Sequence, residues 1–272
     1  LKLLNVTNLS FTYPRHSQPA LEKLNFSLKP NTHVAIIGHN GSGKSTLVKL
    51  LGGFLKAPKQ TIFFRGQPLE EVGFRQIGIL LQDPDMQLLG DTLHQELIFS
   101  LENHGVDPKQ MDRVIADVLA VVELQGKQFT PLSKLSFGEK QRAVFACLLA
   151  VKPELYLLDE AFSMLDGKLA SKLKRFIFKV IKEQQKTVIN VTHDFNDLFL
   201  ADEIIFLSKG QLLKQFSPAA IYKQLHLFHQ HHFTLPFPWL LAHEVADHLH
   251  HEMKGPIEEL QDVVDWICKH LK

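Results

Sequence analysis

The chain has 272 residues, of which 45% are hydrophobic, so it can bury a substantial core as one large domain or as a domain with an appendage, and it is no disordered tail. Thirty basic residues against twenty-nine acidic ones leave a net charge of +1, which excludes a whole-molecule field for nucleic acid or an anionic surface. Cys147 and Cys268 are the only cysteines, too few for a disulfide framework, and a reducing cytosolic setting is expected.

The opening LKLLNVTNLSFTYP lacks the charged, apolar and small-residue zones of a signal peptide, and no apolar run reaches the roughly 20 residues that span a bilayer. LLNVTNLSFTY (3–13) and TIFFRGQPL (61–69) read as strands without an intervening helix, which predicts an antiparallel β layer. THVAIIG (32–38) reads as a short buried strand that runs into HNGSGKST and then the apolar-periodic TLVKLLGGFL. Further short apolar runs at 77–81, 155–158, 187–191 and 203–207 alternate with segments long enough for helices, the pattern of a largely parallel α/β sheet covered on both faces.

Between about residues 92 and 150 the pattern is helical, and Asp107-Pro108 supplies an N-cap and a first-position proline to KQMDRVIADVLAVVEL. The basic run at 168–186 is amphipathic. Leu173, Phe176, Ile177, Val180 and Ile181 form its core face, and its lysines are expected on the solvated side. Lys209-Gly210 predicts a hairpin turn, and Ser217-Pro218 opens a short helix. The composition then changes. Residues 1–225 are expected to form the main domain and residues 226–272 a small, mainly helical one that packs on it or on another subunit. After a Gly255-Pro256 break, Ile257, Leu260, Val263, Val264, Ile267 and Leu271 share one helical stripe. The histidines at 226, 229, 231, 232, 248, 250 and 251 cluster in sequence, but nothing in their spacing fixes the geometry that a metal site needs.

Gly38-His39-Asn40-Gly41-Ser42-Gly43-Lys44-Ser45 satisfies the P-loop pattern between a strand and a helix. Its glycines let backbone N–H groups wrap a polyphosphate, Lys44 bridges the β- and γ-phosphates, and the Ser45 hydroxyl, with Thr46 next to it, faces Mg²⁺. LYLLDE ends a buried strand in two carboxylates, so Asp159 is expected in the Mg²⁺ shell and Glu160 on the attacking water. His193, after TVINV, is placed to steady that water, and Gln82, ending IGILLQ, offers an amide to metal or water.

In this order, FTYP with Tyr13, the P-loop, Gln82, LSFGEKQR (135–142), LYLLDE, SMLD with Asp166, and VTHD resemble the ATP-binding cassette (ABC) ATPases over nearly all of residues 1–225. The resemblance implies a P-loop NTPase fold with an antiparallel β layer, a helical subdomain and an appended C-terminal domain. It implies that ATP and Mg²⁺ are held between two such domains set head to tail. The nucleotide-contacting set is then Tyr13 as the adenine-stacking ring, Gly38, Asn40, Gly41, Gly43, Lys44, Ser45 and Thr46, with Ser136, Gly138 and Asp166 from the signature and D-loop. Ser45, Gln82 and Asp159 would serve the metal, and Glu160, His193 and Gln82 the hydrolysis.

The segment at 82–106 and LPFPWLLA (235–242) resemble more narrowly the ATPase subunits of energy-coupling factor (ECF) importers of vitamins and other micronutrients. That likeness implies a second, paralogous ATPase, a transmembrane coupling subunit and a separate membrane substrate-binding subunit, with no nucleic acid. It places the chain as a peripheral protein on the cytoplasmic face of the membrane, with Pro84, Asp85, Gln87 and Leu88 towards the membrane partner. An ATPase of a cobalt- or nickel-type importer acting as a homodimer, or an ABC protein unlinked to transport, remains open. Two positions depart from the usual signature. Phe137 replaces a glycine, which matters only if that position needs positive φ, and Glu139 brings a charge that a neighbour such as Lys140 or Arg142 would have to offset.

Overall fold

The structure is a computed structural model that describes residues 2–165, 167–249, 257 and 259–270. Asp166, His250, His251, Gly255, Pro256 and Leu271 therefore lie outside the described residues. The chain runs through β1 (Leu4–Phe11), β2 (Leu21–Leu28), β3 (His33–Ile37), α1 (Lys44–Leu51), β4 (Ile62–Phe64), β5 (Gln67–Pro68), α2 (Leu69–Val72) and β6 (Ile77–Leu80). Helices α3 (Leu93–Asn103), α4 (Pro108–Val121) and α5 (Phe137–Val151) follow with no strand between them. Then come β7 (Leu155–Asp159), α6 (Gly167–Glu183), β8 (Thr187–Val191), β9 (Glu203–Ser208) and β10 (Gln211–Phe216), and finally α7 (Leu225–Gln230), α8 (Phe237–Leu249) and α9 (Leu260–His270).

The larger sheet has the order β10-β9-β3-β8-β7-β6 and is parallel except for the β10 hairpin. Every residue of β7 and β8 is buried, as expected of strands covered on both faces. The smaller sheet, β2-β1-β4-β5, is wholly antiparallel, and its apolar side packs with α1 on the parallel sheet through Leu4, Leu24, Val48 and Leu157. A second core joins α3–α5 to α6 through Leu97, Phe145 and Ile177. Lys209 and Gly210 both adopt positive φ (46° and 77°), which suits the right-handed twist of the two-residue β9–β10 hairpin.

The helical ends follow their local sequence. Thr92 and Gln95 form a capping box on α3, and the Asp107 side chain accepts from Lys109 N ahead of Pro108 on α4. The C-terminal helices share a third core with the sheet, because Phe206 of β9 packs with Phe228 and with Trp239, which is fully buried and donates from Nε1 to Ile257 O at 2.8 Å. The expected α9 stripe is divided. Ile257 and Val263 are buried, whereas Leu260 and Val264 are about half exposed, since adjacent positions on a helix point 100° apart and one partner surface cannot cover all of them. No helix among the described residues is long and apolar enough to cross a membrane.

Candidate functional site

The strand order puts the expected residues on one edge of the sheet. β3, β8, β7 and β6 are adjacent and parallel, so the P-loop, His193, Asp159 with Glu160, and Gln82 all emerge beyond their C-terminal ends. Close packing dictates the first glycine: a Cβ at Gly38 would lie 2.3 Å from Leu207 O and 2.5 Å from Ser42 Oγ. Gly43 stands at φ 102°, barred to L side chains, just before α1 begins at Lys44. Asn40 and Gly41 are exposed at the tip of the loop.

Lys44 is 4% exposed, and its Nζ donates to Gly38 O (2.7 Å) and His39 O (3.0 Å) across the loop. Burial lowers its ammonium from the ordinary lysine range, opposed by the charges of Glu160 and Asp159. Ser45 Oγ donates to Asp159 Oδ1 at 3.2 Å, and burial raises the Asp159 carboxyl against that bond. Tyr13 is half-buried beside this cradle, its hydroxyl 3.1 Å from Thr46 Oγ1 and its ring edge-on to Phe11.

Glu160, at φ 50°, turns sharply off β7 and its N–H donates to Val191 O at 3.1 Å. The turn brings its Oε1 to 2.7 Å from His193 Nε2, so the imidazole N–H of β8's loop donates to the carboxylate of β7's. A cavity of about 330 Å³ opens beside the pair, lined also by Phe162, Lys174, Thr192 and Asp197. Gln82 is exposed just past β6, next to a segment tied down by Gln87, whose Oε1 accepts from Leu81 N and whose Nε2 donates to Ile79 O. This corrects two of the four residues expected to face outward, while Asp85 is exposed as expected. Gln87 spends its amide inward and Pro84 is buried, so Met86 (74% exposed) and Leu89 (79%) present the apolar surface.

Ser136 and Gly138 stand apart. They begin α5, and no hydrogen bond among the described residues joins them to the P-loop. Ser136 instead forms a capping box, in which Glu139 Oε2 accepts from Ser136 N (2.8 Å) and Ser136 Oγ accepts from Glu139 N (3.4 Å); Ser136 Oγ also donates to Glu139 Oε2 at 2.9 Å. Phe137 is the first helical residue, and it is not among the positive-φ positions, so a side chain there brings no left-handed backbone strain. Gly138 faces Leu169, 3.2 Å from where a Cβ would sit.

The cation that offsets Glu139 is neither Lys140 nor Arg142 but Lys127, which pairs with it and, ahead of the Ser136 backbone N–H, holds its carboxyl down at about 2. The other two are engaged elsewhere. Lys140 pairs with Asp85 at 2.6 Å, and Arg142 donates to Val122 O and Glu123 O.

Comparison with known proteins gives the family. The ABC transporter family model matches residues 21–163. The chain belongs to the ABC transporter family. A Mycoplasma pneumoniae protein, named provisionally as an ABC transporter ATP-binding protein, is 99% identical over 99% of this chain and 100% of its own length. The energy-coupling factor transporter ATP-binding protein EcfA1 of Lactobacillus gasseri is 38% identical over 90% of this chain and 88% of its own. Among solved structures, cbiO1 from Clostridium perfringens, part of the ABC transporter complex cbiONQ, aligns with a TM-score of 0.74 at 27% identity, covering 88% of this chain and 98% of that one.

As an ABC ATPase, the chain works with ATP and Mg²⁺, and its own residues fit both. The hydroxyl of Ser45 beside the carboxylate of Asp159 is a hard-oxygen donor set suited to Mg²⁺. The buried Ser42 Oγ, without a hydrogen-bond partner among the described residues, lies in the phosphate cradle itself. Among the described residues no three or more His, Cys, Asp or Glu side chains gather as a further metal cluster.

Three features of this ABC ATPase escaped sequence reasoning. Gln141 is fully buried and its Nε2 donates to Leu81 O (3.1 Å) and Ala161 O, fastening α5 to the segments that carry Gln82 and Glu160. His39 stacks on Phe233 (4.1 Å between rings) and bonds His231 O, so the C-terminal residues touch the P-loop. Lys174 is buried although the amphipathic pattern put its lysines in solvent. No signal in the chain announces these contacts, because each partner lies far away in sequence.

Proposed function

We propose that this ABC ATPase is the energy-coupling subunit of an ECF-type importer of vitamins or other micronutrients, paired head to tail with a second, paralogous ATPase. The observation that carries the reading is the division of the site. Lys44, Ser45, Asp159, Glu160 and His193 share one sheet edge, whereas Ser136 and Gly138 lie at the start of a separate helix. A signature placed there serves a nucleotide on another chain, and a partner's signature completes the nucleotide site here, with Tyr13 against the base and Asp166 at the seam.

In this reading Lys44 leaves its loop carbonyls for the β- and γ-phosphates, and the backbone N–H groups from Gly38 to Gly43, with Asn40, wrap them. Ser45, Asp159 and Gln82 would hold Mg²⁺, which would supply positive charge against the phosphate oxygens. Glu160 orients the attacking water and takes its proton, while His193 fixes the carboxylate through the 2.7 Å bond. Ser136 Oγ donates to a carboxylate here, which favours unequal composite sites and thus a heterodimer over a homodimer.

The likeness to EcfA1 supports the ECF assignment. Met86 and Leu89, exposed beside Gln82, fit a transmembrane coupling subunit, and a separate membrane subunit chooses the cargo. The chain then sits peripherally on the cytoplasmic face. Residues 226–272 act as a small domain at the subunit interface, where the half-exposed Leu260 and Val264 offer apolar contact.

The test is Glu160→Gln in the complex isolated with detergent. ATP binding persists, turnover is lost and the closed dimer accumulates, with the other subunits identified by mass spectrometry. Undiminished hydrolysis, or a complex with no membrane protein and no second ATPase, overturns the reading.

A further inference from the structure

α6 turns a solvated face outward except at one residue. Lys174 is 6% exposed, and a buried ammonium persists only if charges or dipoles compensate it. Its Nζ lies 2.5 Å from Asp197 Oδ1 and 2.9 Å from Asp194 Oδ2, both in the loop that carries His193. It also sits 5.8 Å from the ring centre of Phe162, in the segment just past Glu160. The loop is further closed on itself: Thr192 Oγ1 (2.5 Å) and Asn190 Nδ2 (3.3 Å) donate to Asp197 Oδ2, and Asp194 N donates to Thr192 Oγ1 at 3.0 Å. Residues 192 and 194, on both sides of His193, are therefore held by a network whose only cation among the described residues is Lys174. All of these groups, with Glu160 and His193, line the one 330 Å³ cavity.

We propose that Lys174 is a positioning residue for ATP hydrolysis: by anchoring Asp194 and Asp197 from α6, it holds His193 where its Nε2 meets Glu160. This rests on the roles proposed above for Glu160 and His193. Lys174 touches no nucleotide and acts only through the His193 loop, so its loss should slow the chemical step and spare ATP binding.

The experiment measures ATP turnover, KM and equilibrium nucleotide binding for Lys174→Met in the full chain assembled with its partner ATPase. Turnover is expected to fall on the order of 10- to 100-fold, the cost of a catalytic group displaced by about an ångström, with KM and nucleotide affinity changed less than about twofold. Lys174→Arg should restore most of the rate. In a His193→Ala background, Lys174→Met should add no further loss to the residual turnover, because its route of action is already cut.

If Lys174→Met fails to fold, Lys174→Met/Asp197→Asn removes both charges of the buried pair and carries the same measurements. Wild-type turnover in the folded variant, or a loss that lowers nucleotide affinity equally and multiplies with His193→Ala, overturns the proposal. If Glu160→Gln and His193→Ala are themselves silent, the reading of the site fails; if they abolish turnover while Lys174→Met does not, only this inference fails.

Discussion

Replacing Gln141 by leucine asks how firmly the signature helix is fastened to the rest of the site. The side chain is fully buried, donates to Leu81 O at 3.1 Å and to Ala161 O, and leaves its own Oε1 without a partner among the described residues. Leucine nearly conserves the volume while removing both bonds. Two stranded carbonyls cost about 1–3 kcal/mol each, and deleting one orphaned acceptor offsets about one such cost. Added apolar contact offsets roughly another 0.5 kcal/mol. The net loss is then about 1.5 kcal/mol, and a chain of this size should unfold about 3–6 °C lower.

Thermal and urea unfolding followed by circular dichroism provide the assay. Gln141→Glu should be worse than leucine by about 1 kcal/mol or more at neutral pH, since it sets a buried carboxylate against two carbonyl dipoles. A Gln141→Leu protein as stable as wild type, with an unchanged urea dependence, would show that the orphaned Oε1 already cancelled the two bonds and that nothing is clamped here.

Other outcomes follow from the same geometry. Gly38→Ala forces a Cβ against Leu207 O and Ser42 Oγ, so MgATP affinity should drop by about tenfold or more in equilibrium binding; unaltered affinity refutes the close-packing argument. Phe137→Gly should lower stability by about 0.5–1 kcal/mol and leave ATP turnover no faster, because the position is ordinary first-turn helix; a marked gain in turnover contradicts that. Burial lowers the His33 imidazole to about 4, against the bond from its Nδ1 to Leu200 O. The unfolded chain therefore takes up a proton at this site near pH 6.5 that the folded chain refuses. Stability contributed by His33 is complete above about pH 6.5 and falls by on the order of 2 kcal/mol towards pH 4, after discounting for the ring's partial exposure. Urea midpoints of wild type and His33→Phe across that range test it, and identical pH dependence sinks the assignment.

Much of the candidate site was legible because the chemistry expected of it is written in consecutive residues. The P-loop needs a buried strand, glycines and a helix start in unbroken order, and residues 32–51 supply them locally. LYLLDE likewise places Asp159 and Glu160 at the end of a strand whose burial follows from its composition. Alternating strands and helices implied a parallel sheet, and parallel strands deliver their C-terminal ends to one edge, so the meeting of Glu160 with His193 was implicit in the pattern.

What remained open were the identities of partners. Periodicity states which face of α6 is apolar, but it put Lys174 in water because a pattern of residue types carries no information about the carboxylates that fold against it from beyond β8. Whether Phe137 was a defect turned on one backbone angle, and whether Lys127 rather than Lys140 neutralised Glu139 turned on how a loop returns past a helix. The same holds for α9, where the surface offered by the other helices divides one apolar stripe into a buried and an exposed half. Local sequence determines backbone states and amphipathic faces, since those depend on neighbours a few residues away. Burial, ion pairing and the orientation of a catalytic group depend on atoms that only the tertiary fold brings within reach.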